Sequence, residues 1–207
     1  MKRLWDISPP VHAGSPVFPG DTQYSQRWSA RIAADCPVNV SAITLSPHVG
    51  AHADAPLHYD AAGAAIGAVD LAPFLGVCRV IHAMGCGPLI RTLHLQHALA
   101  DLPPRVLVRT CERAPTAWSP DFAAFAPQTI AWLASLGVKL VGIDSQSVDP
   151  ADSKTLPSHM QLREHGLRVL ENLVLDQVPA GDYELIALPL KLAGADASPV
   201  RAILREL

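Results

Sequence analysis

The sequence has no excess of positive charge: 16 Lys and Arg stand against 19 Asp and Glu, for a formal net charge of −3. That removes the electrostatic case for nucleic acid or an anionic membrane as partner. No window approaches the roughly 18 consecutive apolar residues that would span a bilayer. The four cysteines, Cys36, Cys78, Cys86 and Cys111, include no Cys-x-x-Cys pair; they read as reduced, buried thiols of a cytoplasmic protein. There is no Gly-x-Ser-x-Gly elbow, so a serine mechanism of the α/β-hydrolase type lacks its nucleophile turn. Neither Gly-x-x-x-x-Gly-Lys-Ser/Thr nor Gly-x-Gly-x-x-Gly occurs, and nucleotide binding has no support. The start, Met1 to Pro10, has two positive charges but no apolar stretch, and Asp6 and the prolines interrupt it. It does not read as a signal peptide.

What is present is globular composition, with 49% hydrophobic and 17% charged residues over 207 positions. That length suits a single domain over 1–207 with a real core. Nineteen prolines require many irregular connections or edge strands, because proline donates no backbone hydrogen bond. They are prominent in residues 1–30, which read as a loop-like arm that packs on the core or crosses to a second subunit. Short β-branched runs predict strands at 39–45, 77–83, 105–110, 138–143, 172–177, 184–189 and 200–204. Helical periodicity appears at 92–100, at 127–136 between Pro127 and Gly137, and at 158–170 with Ser158 as N-cap. Many strands with few helices predict α/β or α+β, a sheet core with helices packed around it.

The chemistry concentrates in His48-Val49-Gly50-Ala51-His52-Ala53-Asp54-Ala55-Pro56-Leu57-His58. All four polar side chains fall on even positions. In an extended chain they project to one side, while Val49, Ala51, Ala53, Ala55 and Leu57 suit a core. Pro47, Gly50 and Pro56 argue against a continuous helix. Two imidazoles and a carboxylate, His48, His52 and Asp54, are a nitrogen/oxygen set for Zn²⁺ or a similar divalent ion. His58 is placed to move protons beside the metal. A lone histidine is more often a surface or core residue; four such groups sharing one face usually mark a site.

Other candidates are weaker on spacing alone. His159, at the start of a predicted helix, and Glu171, after its end, are individually ordinary. Cys78, His82 and Cys86 have a ligand-like spacing, but Gly85 breaks the strand pattern and packing is the better reading. His94, His97 and His165 lie in predicted helices without carboxylates, and His12 lies in the arm.

The His48-x-Gly50-x-His52-x-Asp54-x-Pro56-x-His58 pattern resembles the signature of the cyclase-like metal-dependent hydrolases, whose best-known bacterial members are kynurenine formamidases. Further matching positions are Trp5-Asp6-Ile7-Ser8, Pro19-Gly20-Asp21-Thr22, Gly142-Ile143-Asp144-Ser145, Glu171-Asn172-Leu173 and the tail from Leu188 to Ala202, so the likeness spans essentially the whole chain. It implies a swivelling β/β/α domain with a mixed β core and surrounding helices. It also implies a homodimer with the arm, residues 1–30, at the interface. One metal would be held by His48, His52 and Asp54, and a second by Asp54, His159 and Glu171. The metals would be Zn²⁺, two per subunit, with Mn²⁺ in some relatives. His58 would be the proton donor and acceptor. The implied reaction is hydrolysis of N-formyl-L-kynurenine to L-kynurenine and formate, in tryptophan degradation. Family members of this kind often carry Trp in a Pro-Val-Trp-Pro-Gly turn, against the substrate ring; here Phe18 stands there, able to stack but without the indole N–H. A hydrolase of isatin or another cyclic or aryl amide, and a non-catalytic metal-binding protein, remain alternatives.

Overall fold

The structure, a computed structural model, describes residues 2–207. The first strands are β1 (Leu4–Asp6), β2 (Ser25–Ala30), β3 (Val40–Thr44), β4 (His52–Asp54), β5 (Leu75–His82) and β6 (Leu89–Ile90). After helix α1 (Thr92–Leu95) come β7 (Arg105–Arg109), β8 (Ala124–Phe125), helix α2 (Pro127–Ser135) and β9 (Leu140–Ile143). Helix α3 (Pro157–His165) leads to β10 (Arg168–Glu171), β11 (Gly181–Ile186), β12 (Ala197–Pro199) and β13 (Ile203–Arg205).

Nine strands form one mixed sheet in the order β1-β13-β11-β5-β7-β9-β10-β4-β12. Its centre, β5-β7-β9-β10, is parallel, and antiparallel strands extend it on both sides. The parallel strands have the two-sided burial that helix-covered sheets need. Val106, Val108, Val141, Ile143 and Val169 face one way, onto Ile130, Leu133 and Leu162 of α2 and α3. Leu107, Leu140 and Leu170 face the other way, into a core with Ile7, Leu173, Tyr183 and Leu204. This is the period-two alternation of a strand applied to a doubly buried sheet. At Gly142 a Cβ would come within 2.4 Å of Leu107 Cδ2, so the strand must be bare there for that core to close.

The sheet core with packed helices agrees with the α/β expectation. Three local expectations fail. The helix starting near Ser158 ends at His165, where Gly166 takes a left-handed conformation (φ +65°); residues 168–171 then form β10. The strand expected at 172–177 is therefore displaced to Arg168–Glu171, and Asn172, at φ +56°, turns the chain out of it. Finally, the arm is not all loop: Trp5 pairs with Leu204 at the sheet edge, and residues 25–30 pair with β3 in a separate hairpin.

Candidate active site

The floor of the site is β4, which is hydrogen-bonded on both edges: His52 lies opposite Glu171 of β10 and Asp54 opposite Ala197 of β12. Direct cross-strand partners point to the same face, and residues two apart in a strand do too. His52, Asp54 and Glu171 therefore converge. His52 Nε2 is 3.3 Å from Glu171 Oε2 and 3.5 Å from Asp54 Oδ1. His159, in the first turn of α3, brings its Nε2 to 3.3 Å from Asp54 Oδ2 and 3.8 Å from Glu171 Oε1. The alternate residues Val49, Ala51, Ala53 and Ala55 are buried, as the odd-numbered core face requires.

The segment is not extended throughout, contrary to the spacing argument. His48 sits in a turn and His58 closes a 3₁₀ turn over Pro56–His58. Gly50 has φ +66°, and a Cβ on it would meet Val11 Cγ2 at 2.8 Å. The turn it allows swings His48 over the floor, with Nδ1 3.1 Å from Asp54 Oδ1. The arm braces this turn: Ser46 Oγ donates to Asp21 Oδ2 and Ser46 N to the Thr22 carbonyl.

Each of the three inner histidines has its outer nitrogen tied to an acceptor. His52 Nδ1 donates to the Gly50 carbonyl at 2.9 Å, and His159 Nδ1 to Asp149 Oδ2 at 2.7 Å. His48 Nε2 lies 3.0 Å from Asp196 Oδ2. In a neutral ring only one nitrogen carries hydrogen, so the inward nitrogens present lone pairs. They face carboxylates that also offer only lone pairs. His52 Nε2 and Asp54 Oδ1 are buried and make no hydrogen bond. Buried lone pairs converging without a donor are costly, and a divalent cation satisfies them all. The donor set, imidazole nitrogen and carboxylate oxygen with each imidazole oriented by an outer acceptor, suits such an ion. His52, Asp54 and Glu171 form one group of converging ligand atoms and His48, Asp54 and His58 another, with Asp54 common to both.

Metal-free, the inward nitrogens of His48 and His159 take protons. Burial alone would lower the His48 imidazole, yet Asp54 and Asp196 beside it push it up to about 9. Burial also opposes protonation of His159, and Asp149, Asp54 and Glu171 outweigh it, raising the ring to about 10. Asp54 would be raised by its burial, but His159 and His48 hold it well below the usual carboxylate range.

Above this floor lies a pocket of about 360 Å³. Its walls include Phe18, Trp118, His58, Gln146 and Asp196. Phe18 and Trp118 meet edge to face with centroids 6.0 Å apart. All the residues nominated for the site thus come together. His82 instead bonds the Val178 carbonyl, and Cys78 is a buried packing residue; all four cysteines are free.

Three participants escape sequence reasoning. Asp149 accepts from the backbone N–H groups of Ser158 and His159 and from the His159 ring. It does the N-capping that the sequence suggested for Ser158, whose hydroxyl instead donates to the Phe125 carbonyl. Asp196 lies in the tail that carried the resemblance, without a visible role. Trp118 sits in a proline-rich loop, and a large aromatic on a loop was the available signal.

The Cyclase family profile matches residues 5–150. The chain belongs to the Cyclase family. It is 70% identical over 208 residues to the kynurenine formamidase of Bordetella pertussis, covering 100% of both chains. With that of Delftia acidovorans it is 70% identical over 206 residues, covering 100% of this chain and 99% of the other. Among solved structures, a predicted metal-dependent hydrolase from Bacillus stearothermophilus is 28% identical with a TM-score of 0.85, and 100% of each chain is covered. Isatin hydrolase A from Ralstonia solanacearum shares the fold (20% identity, TM-score 0.80, 100% and 92% covered).

Proposed function

We propose that this protein is a metal-dependent arylformamidase that hydrolyses N-formyl-L-kynurenine to L-kynurenine and formate, in tryptophan breakdown through kynurenine. The observation that carries the substrate is 70% identity, end to end, with kynurenine formamidases. The convergence of inward imidazole nitrogens on buried carboxylates supports the chemistry.

In this reading His48, His52 and Asp54 hold one metal ion and Asp54, His159 and Glu171 a second, both Zn²⁺, with Mn²⁺ as the substitute. A divalent ion so held supplies positive charge that lowers the pKa of a bound water and polarises a carbonyl oxygen. His58, at the pocket edge with its side chain 31% exposed, accepts a proton as water adds to the formyl carbon. It returns that proton to the aniline nitrogen as the C–N bond breaks, since an anilide anion is a poor leaving group. Phe18 and Trp118 supply aromatic walls for the substrate ring. No Lys or Arg lines the pocket among the described residues, so recognition rests on the ring and the formamide rather than on an ion pair to a carboxylate.

The reading extends to a single domain over 1–207 that works as a homodimer. The β2–β3 hairpin supports this: Trp28 and Ile43, exposed at 44% and 57%, share one face, since Trp28 pairs with Ser41 two residues before Ile43, and adjacent exposed apolar side chains mark contact surfaces. No helix among the described residues is long and apolar enough to cross a membrane. Four free cysteines suit a cytoplasmic setting.

The test is turnover of N-formyl-L-kynurenine, followed by absorbance beside isatin at equal concentration. Preferential release of kynurenine is the expected result. Preference for isatin would move the assignment to cyclic amides.

A further inference from the structure

The outer rim of the site contains a carboxylate that touches two of its histidines at once. Asp196 Oδ2 lies 3.0 Å from His48 Nε2 and 3.4 Å from His58 Nδ1. One carboxylate oxygen has lone pairs for both donors. Asp196 belongs to neither group of converging ligand atoms, and its side chain is 43% exposed, so it is placed to orient rings rather than to join the buried floor.

The backbone fixes that relation. The Asp196 carbonyl accepts from Ala55 N at 2.8 Å, and the Ala55 carbonyl accepts from His58 N at 2.9 Å. The next residue, Ala197, is paired with Asp54 in the sheet, and the Ala195 carbonyl accepts from Ile66 N. Asp196 and His58 are thus held by consecutive hydrogen bonds to one short segment, and their side chains meet over the pocket that both line. A carboxylate on Nδ1 fixes the imidazole tautomer and presents Nε2 for proton transfer.

We infer that Asp196 is the positioning residue for His58: it accepts the Nδ1 hydrogen and directs Nε2 at the nitrogen of the scissile amide. This rests on the proposed role of His58 as proton donor. The step it serves is balanced: water oxygen bonds to the formyl carbon and gives one proton to His58, the C–N bond breaks as nitrogen takes that proton, and the arylamine leaves with formic acid, which releases its remaining acidic proton to solvent as formate.

The experiment compares formanilide with its ester counterpart, phenyl formate, on the metal-loaded enzyme. Aniline needs a proton to depart, whereas phenolate, from a phenol with a pKa of about 10, leaves without one. With Zn²⁺ kept saturating, since Asp196 also holds His48, Asp196→Asn should lower kcat on formanilide roughly 10–100-fold. On phenyl formate the loss should be clearly smaller, because there His58 only accepts a proton from water and has none to deliver to the leaving group. Asp196→Glu should recover part of the loss. In the double variant with His58→Ala, the Asp196→Asn loss should vanish, since the two act as a unit. Equal losses on both substrates at full metal occupancy would overturn the inference and leave Asp196 a support for His48 alone. A rise in KM confined to N-formyl-L-kynurenine would also overturn it, making Asp196 a contact for the substrate's ammonium group, which formanilide lacks. If His58→Ala itself slows amide and ester equally, it is the proton-donor half of the His58 assignment that fails, a result separate from any seen with Asp196. Asp196→Ala gives the same comparison should the Asn variant not fold.

Discussion

The floor and the rim of the site are built on opposite principles. On the floor, His52, Asp54, His159 and Glu171 are at most 4% exposed, they are fixed by paired strands or a helix start, and several of their polar atoms face other acceptors. At the rim, His58, Asp196 and Phe18 are half-buried or exposed and come from turns and loops, with half-buried His48 joining the two regions. Burial strengthens the pull of the floor on a cation and raises the cost of leaving it unbalanced. Solvent contact at the rim leaves room for proton exchange and for a substrate to enter. In the proposed reading the contrast separates two tasks: the floor would accumulate charge while the rim moves protons and selects.

The largest effect should follow a change at the centre of the floor. Asp54→Ala removes the carboxylate common to both groups of ligand atoms. Metal content, read by elemental analysis, should collapse, and turnover should fall by about three orders of magnitude or more. Full metal content in that variant would break the contrast at its root. Next is Asp149, which never faces the pocket but holds His159. Asp149→Ala should weaken metal binding roughly 10–100-fold, measured by competition with a chromophoric chelator. It also strands two buried N–H groups, so stability should drop by about 1–3 kcal/mol. Unchanged metal affinity would mean that His159 needs no outer support.

At the rim the effect should be smaller and of another kind. Phe18→Ala removes an exposed aromatic wall worth about 0.5–1.5 kcal/mol. KM for the formamide should rise several-fold while kcat and metal content hold; a collapse in kcat would move Phe18 into the chemistry. Smallest is a pair remote from both regions. Arg79 clamps Asp182 across β5 and β11 with hydrogen bonds of 2.7 and 2.8 Å, and the guanidinium lowers the carboxyl below its ordinary value. A lowered folded-state pKa stabilises the fold above the ordinary carboxylate range and loses that contribution as pH falls through the folded value. Asp182→Asn should thus cost at most about 1 kcal/mol at neutral pH, after solvent screening, and nothing in strong acid. A pH-independent difference in denaturation would contradict that origin.

The sequence carries the floor better than the rim. The period-two pattern from Val49 to Ala55 places the core face correctly, because β4 is short and paired on both edges and its alternation survives. The same pattern misjudges His48 and His58, since the left-handed Gly50 and the Pro56 turn bend the chain at both ends of β4 while still returning the side chains to the site. Glu171 and His159 become site residues only through the β10–β4 pairing, a contact over more than a hundred positions that spacing cannot show; the family resemblance identifies them. The 168–171 run Arg-Val-Leu-Glu continues the apolar pattern of α3, and a short buried strand is not distinguishable from helix by periodicity. Asp149 and Asp196 act by orienting other side chains, and nothing in their local sequence carries that information.

The most direct test of the central claim is a titration of chelator-stripped protein with Zn²⁺, reading bound metal per chain and N-formyl-L-kynurenine hydrolysis on the same sample. Activity that is absent at the start and rises with occupancy of the buried His–Asp–Glu floor is the predicted result. Full activity in the stripped protein, or zinc uptake that the Asp54→Ala variant matches, would contradict it.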